Sequence, residues 1–170
     1  IMACGTGKTF TTLWIKERLE ANSTLVLLPS LNLLSQTLRE WTSAANQHFQ
    51  VLCVCSDQTV GRRANDTPED LKLSEFAFPV TADVEDIRSF LGTNNPKVVF
   101  CTYQSSSLIA EAQSDEDIPA FDLAVADEAH RCAGDKAGAF AAILDGDLIR
   151  SDKRLFTTAT PRMYSNSVTK

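Results

Sequence analysis

Five short apolar runs punctuate the chain, at residues 24–28 (TLVLL), 51–55 (VLCVC), 97–101 (KVVFC), 123–126 (LAVA) and 154–157 (RLFT). They are nearly continuous in hydrophobicity rather than alternating, so each suits a strand covered on both faces, the condition of a parallel sheet. Segments with helical spacing lie between them. Residues 9–20 carry Phe10, Leu13, Trp14 and Glu17, the spacing of a half-buried helix. Residues 31–45 place Leu31, Leu34, Leu38 and Trp41 on one stripe behind Ser30, a good N-cap. Residues 83–91 gather Val84, Ile87, Phe90 and Leu91, and 137–144 form a shorter candidate. Strands alternating with helices specify a doubly wound α/β domain. Residues 56–82 lack a clear period and read as an irregular insertion, and 111–117 read as a surface loop.

With 170 residues the chain is long enough for one domain with a sizeable core. It has no apolar stretch approaching the ~18 residues of a membrane span and no leader-like start, so no membrane association is expected. The five cysteines form no C-x-x-C pair, and an odd number does not suit a disulfide framework. Cys53, Cys55 and Cys101 fall in apolar runs and are expected as buried thiols, which fits a reducing, cytoplasmic setting. A net charge of -6 weighs mildly against strong autonomous binding to a polyanion, although local contacts through amides and a few polar groups stay open.

Two motifs carry chemistry. Gly5-Thr6-Gly7-Lys8-Thr9 opens the first helical segment. Glycines let a backbone wrap a phosphate, the amides of Gly5, Thr6, Gly7 and Lys8 can form an anion nest, and a helix N-terminus favours the same negative charge. Lys8 would reach the outer phosphates and the Thr9 hydroxyl would ligate Mg2+. The usual first glycine of such a loop is replaced by Met2, and a chance glycine-rich turn is the competing explanation. Only residues 1–4 precede Gly5, so the sequence reads as cut from a longer protein with its first strand truncated.

The second motif, Asp127-Glu128-Ala129-His130, stands at the end of the fourth apolar run. Asp127 would hold the metal and Glu128 would accept a proton from, or orient, an attacking water. An isolated acidic pair is more often a solvated turn or helix cap. Together with the upstream loop it points instead to hydrolysis of a nucleoside triphosphate such as ATP. His130 suits a coupling role, although a lone histidine is commonly structural.

The ordered set of motifs resembles the first motor domain of superfamily two helicases and translocases of the D-E-A-H type, in the branch similar to restriction subunits. Residues 2–9 resemble motif one, 28–36 motif Ia, 101–105 the motif after the next strand, 127–130 motif two and 158–161 motif three. The resemblance spans nearly the whole chain. It implies a three-layer RecA-like P-loop fold with a mostly parallel sheet, in which strand 154–157 lies between the phosphate-loop strand and the Asp127 strand. It implies that Pro29, Ser30, Thr102 and Gln104 line the path of a nucleic-acid strand, with DNA favoured over RNA, and that Thr158 and Thr160 relay the nucleotide state. It also implies a second RecA-like domain in the parent chain carrying an arginine finger, so the piece alone should hydrolyse ATP slowly or not at all. Pro29-Ser30 is equally a strand exit and helix cap, and 102–105 equally a polar turn. Two other classes compete: a small-molecule kinase, for which Arg62-Arg63 could imitate a lid but 158–161 has no explanation, and a nucleotide-binding scaffold without catalysis.

Overall fold

The computed structural model describes residues 7–55, 78–129 and 142–158. Helix α1 (Lys8–Arg18) leads into strand β1 (Ser23–Leu28), then α2 (Leu31–Ala44), β2 (Gln50–Val54), β3 (Val80–Thr81), α3 (Val84–Leu91), β4 (Lys97–Thr102), α4 (Ser106–Ala112), β5 (Phe121–Ala126) and β6 (Ser151–Phe156). The six strands form one sheet in the order β3-β2-β4-β1-β5-β6. Every pairing is parallel. The carboxyl ends of all the strands therefore share one edge, where α/β sheets place their ligands.

Two apolar layers sandwich the sheet, and the pleat sorts residues between them. Val26 and Leu28 of β1, Val98 and Phe100 of β4, and Leu123 and Val125 of β5 pack with Leu13 of α1 and Leu34, Leu38 and Trp41 of α2. Their neighbours Leu25, Leu27, Val99, Cys101, Ala124 and Ala126 pack on the other face with Ile87 and Leu91 of α3 and Ile109 and Ala112 of α4. The three-layer α/β/α fold expected from the alternation is thus present. The central strands β1 and β4 have essentially no solvent-exposed side chain beyond Ser23, which explains their unbroken hydrophobicity.

Several expectations need correcting. Helix α1 buries Thr12, Leu13 and Lys16, not the Trp14 face; Trp14 is 56% exposed. Lys16 is tolerated inside because its ammonium sits 5.3 Å from the Phe49 ring centroid, and burial pushes its pKa down against the opposing pull of Glu17 and Asp122. Residues 111–117 are not wholly loop, since Glu111 and Ala112 close α4. Val80–Thr81, within the expected irregular stretch, adds a short strand to β2. The last strand begins at Ser151 and covers the outer side of β5, as expected for its neighbour relation to the Asp127 strand. Residues 56–77, the phosphate-loop strand and most of the 137–144 segment lie outside the described residues. Among the described residues no helix is long and apolar enough to cross a membrane. Cys53, Cys55 and Cys101 are buried thiols, as expected; burial pushes the Cys53 thiol up to about 12 and Cys101 well above its ordinary value.

Candidate nucleotide site at the carboxyl edge of the sheet

Gly7 adopts a left-handed conformation, φ 81°, at the mouth of α1, and a side chain there would be strained although the space above it is open. The Gly7 carbonyl accepts from the Thr11 amide at 3.0 Å and from the Thr11 hydroxyl at 3.1 Å, which starts the helix directly after the turn. Lys8 and Thr9 then occupy its first turn, where main-chain N–H groups lack intrahelical partners and attract anions. A residue far off in sequence fixes this turn. Trp41 of α2 is fully buried, its ring set edge-on to Phe100 of β4, and its indole N–H donates to the Thr9 carbonyl at 3.0 Å. The Thr12 hydroxyl reaches the same carbonyl at 2.8 Å.

The acidic pair follows β5. The Asp127 amide donates to the Leu27 carbonyl of β1 at 3.0 Å, which prolongs the sheet by one bond beyond the strand. The chain then turns sharply, because Glu128 takes a left-handed φ of 51°. Residue Thr157, just after β6, holds the turn from the other side. Its amide donates to the Ala126 carbonyl at 2.9 Å, its carbonyl accepts from the Ala129 amide at 2.8 Å, and its hydroxyl donates to Asp127 Oδ1 at 2.6 Å. Beneath them, the Tyr103 hydroxyl donates to the Asp127 carbonyl at 2.7 Å.

These two loops, separated by more than a hundred residues in sequence, meet. Lys8 Nζ lies 4.0 Å from Glu128 Oε1, with 16% and 22% of the two side chains exposed. That spacing exceeds a hydrogen bond, so the charges face one another without being locked together. A half-buried cation, a partly exposed helix N-terminus and a carboxylate oriented by a hydroxyl are the groups that could together hold a polyphosphate carrying a hard divalent cation.

Of the other residues singled out in the sequence, Ser30 and Gln104 are exposed at this edge, whereas Pro29 and Thr102 are buried. Ser30 caps α2, accepting from the Leu33 amide at 3.4 Å, and the Thr102 hydroxyl donates to Ser105 Oγ at 3.1 Å. Thr158 lies beside the site, but the bond to the acidic pair is made by Thr157, one residue earlier. Gly5, Thr6, His130 and Thr160 lie outside the described residues. The hydrogen bonds by which Trp41, Tyr103 and Thr157 brace the site escaped the sequence reading. The signals available were the place of Tyr103 within 101–105 and the adjacency of Thr157 to 158–161.

The parallel sheet, the strand order and the convergence of a phosphate-loop helix with an acidic turn define a RecA-like domain, the first motor domain of a superfamily two helicase. Residues 1–163 match the family described as the type III restriction enzyme, res subunit, and the chain belongs to that family. It is 32% identical over 162 residues to a probable helicase of African swine fever virus, an alignment covering 95% of this chain and 16% of the viral protein. Among solved structures it is similar to the Type ISP restriction-modification enzyme LlaGI, a nuclease-deletion mutant in complex with a DNA substrate mimic, with 36% identity and a TM-score of 0.73 over 96% of this chain and 15% of that one. It is also similar to the ATP-dependent Type ISP enzyme LlaBIII bound to DNA, with 34% identity and a TM-score of 0.74 over 100% of this chain and 12% of that one. The helicase domain of Hef from Pyrococcus furiosus, 19% identical with a TM-score of 0.60, shares the fold. The chain spans about a sixth or less of the length of the viral protein and of the two Type ISP enzymes.

Proposed function

We propose that this domain binds ATP at the carboxyl edge of the sheet and, within its parent protein, couples hydrolysis to movement along DNA. The single observation that carries the reading is the approach of Lys8 to Glu128 across the edge. The main-chain N–H groups of Gly7 and Lys8, the ammonium of Lys8 and the N-terminus of α1 would hold the phosphates. The oxygen donors that fit magnesium are the Thr9 hydroxyl and the Asp127 carboxylate, the latter oriented by Thr157. Magnesium bound there would offset the charge of the phosphates. Glu128 would orient a water and accept its proton, a task that suits a carboxylate kept half-buried on a fixed turn.

Ser30 and Gln104, exposed on the loops after β1 and β4, are the side chains we assign to the nucleic-acid path, while Thr102 and Pro29 shape those loops from within. DNA is favoured over RNA because the two restriction-modification enzymes similar to this chain were solved with DNA or a DNA mimic. A second motor domain in the parent chain would complete the site. The test is the ATPase rate of the full-length parent with single-stranded DNA, duplex DNA, RNA and no polynucleotide. Stimulation by DNA is expected. A rate indifferent to every polynucleotide would overturn the motor reading, and stimulation by RNA alone would overturn the DNA assignment.

A further inference from the structure

Tyr103 opens the short 3-10 turn Tyr103–Ser105 that follows β4, and it is fully buried. Its hydroxyl donates to the Asp127 carbonyl at 2.7 Å. That carbonyl belongs to the peptide unit joining Asp127 to Glu128, so the bond acts on the backbone immediately before the left-handed turn at Glu128. A non-glycine residue keeps such a φ only where its surroundings hold it. Among the described residues, main-chain atoms of this turn are held by Leu27 on the Asp127 amide, Thr157 on the Ala129 amide, and Tyr103 on the carbonyl between them. Of these, the Tyr103 hold is made by a side chain, and it comes from a turn whose next residue, Gln104, is exposed. The Thr102–Ser105 hydroxyl bond closes that turn, so Tyr103 and Gln104 share a braced unit.

We propose that Tyr103 is a positioning residue that couples occupancy of the surface at Gln104 to the placement of Glu128. A strand seated on Gln104 shifts the turn, the tyrosine hydroxyl carries the shift to the Asp127–Glu128 peptide, and the carboxylate comes into reach of its water. Hydrogen bonds are directional, so displacement of the phenol changes its hold on the Asp127 carbonyl. The inference rests on the motor reading above and adds the route by which polynucleotide accelerates hydrolysis.

The test uses the full-length parent, with Tyr103→Phe compared with wild type for ATP hydrolysis at saturating single-stranded DNA and without DNA. The variant should lose roughly fivefold or more of the stimulation by DNA. Its KM for ATP and its affinity for DNA should stay near wild type, the signature of an interaction used in turnover rather than in binding. Gln104→Ala should also weaken stimulation, and the double variant should lose less than the product of the two single losses, because both act on one route. In the wild type, the same DNA should alter hydrogen exchange at the Glu128 and Ala129 amides, a readout that needs no variant. Unchanged stimulation, an equal fall of basal and stimulated rates as a purely structural role would give, or unaltered exchange at those amides would each overturn the proposal. A wild-type parent lacking polynucleotide-stimulated hydrolysis would instead overturn the motor reading, and this inference with it.

Discussion

The two edges of the sheet use charge in opposite ways. At the amino edge, charged groups are consumed by the backbone. Lys97, the first residue of β4, is buried with its ammonium donating to the carbonyls of Phe90, Leu91 and Thr93, the last at close range, where the end of α3 presents its negative pole. Burial pushes that ammonium's pKa down. Asp122 accepts the amides of Asn22 and Ser23 at 2.7 and 2.9 Å, and Arg150 donates to the carbonyls of Gln113, Asp115 and Ile118. Each of these ties a loop shut. At the carboxyl edge, Lys8 and Glu128 stand 4.0 Å apart on two separately braced turns. The braces there are an indole N–H bond from Trp41, a hydroxyl bond from Tyr103 and main-chain and hydroxyl bonds from Thr157, and the charged groups they position face each other across a gap. One edge fastens the sheet and the other presents chemistry.

Substitutions on the two edges should therefore part company. The largest expected effect is at the carboxyl edge. Glu128→Gln should lower the DNA-stimulated ATPase rate of the parent protein by about a hundredfold or more while nucleotide still binds, as measured by steady-state turnover beside equilibrium binding. An unaltered rate would favour a scaffold without catalysis. At the amino edge, Asp122→Ala should lower stability by about 2 kcal/mol, because two amides lose a charged acceptor. Urea denaturation reads that loss, and nucleotide affinity should not follow it. If affinity fell in step, the division between the edges would be wrong.

A third effect lies in the core between them. Cys53 stays a thiol to about pH 12 in the fold, whereas an unfolded thiol ionises near 9.0. The unfolded state thus sheds a proton that the folded state keeps, and stability should fall as pH rises through that window, by about 1.4 kcal/mol per pH unit from this group. Cys53→Ala should remove that part of the slope. The smallest effect is at Ser30, whose long cap bond should make Ser30→Ala cost about 0.5 kcal/mol in stability. If Ser30 also meets a strand, DNA affinity should drop in the same variant with no change in nucleotide affinity.

Much of this was legible in the sequence where a periodic or local rule applied. Continuous apolar runs marked β1, β2, β4 and β5, because strands buried on both faces leave no alternation to hide them. Ser30 marked the start of α2, and the spacing of Leu34, Leu38 and Trp41 marked its inner face. Convergence of Lys8 with the acidic pair followed from parallel strands, since parallel strands deliver their loops to a common edge. What escaped was chemistry between side chain and backbone across long separations. Trp41 was legible as a packing residue, but nothing in the sequence shows that its N–H ends on the Thr9 carbonyl. Tyr103 gave no sign that its hydroxyl reaches past β1 to the turn after β5. Helix α4 is seven residues long and begins with two serines, too short to establish a period. The Phe10–Trp14 pair misdirected the reading of α1, because those rings stack on each other at 6.3 Å on the outer side while Leu13 and Lys16 turn inward.

Hydrogen exchange of the full-length parent with and without magnesium and ATP tests the central claim most directly, since it maps protection onto both edges at once. The account predicts slowed exchange at the first turn of α1 and at residues 127–129 and 157–158, with residues 113–122 and 97 unaffected. Protection confined to the amino edge, or to the α1 turn without the Asp127–Glu128 turn, would contradict it.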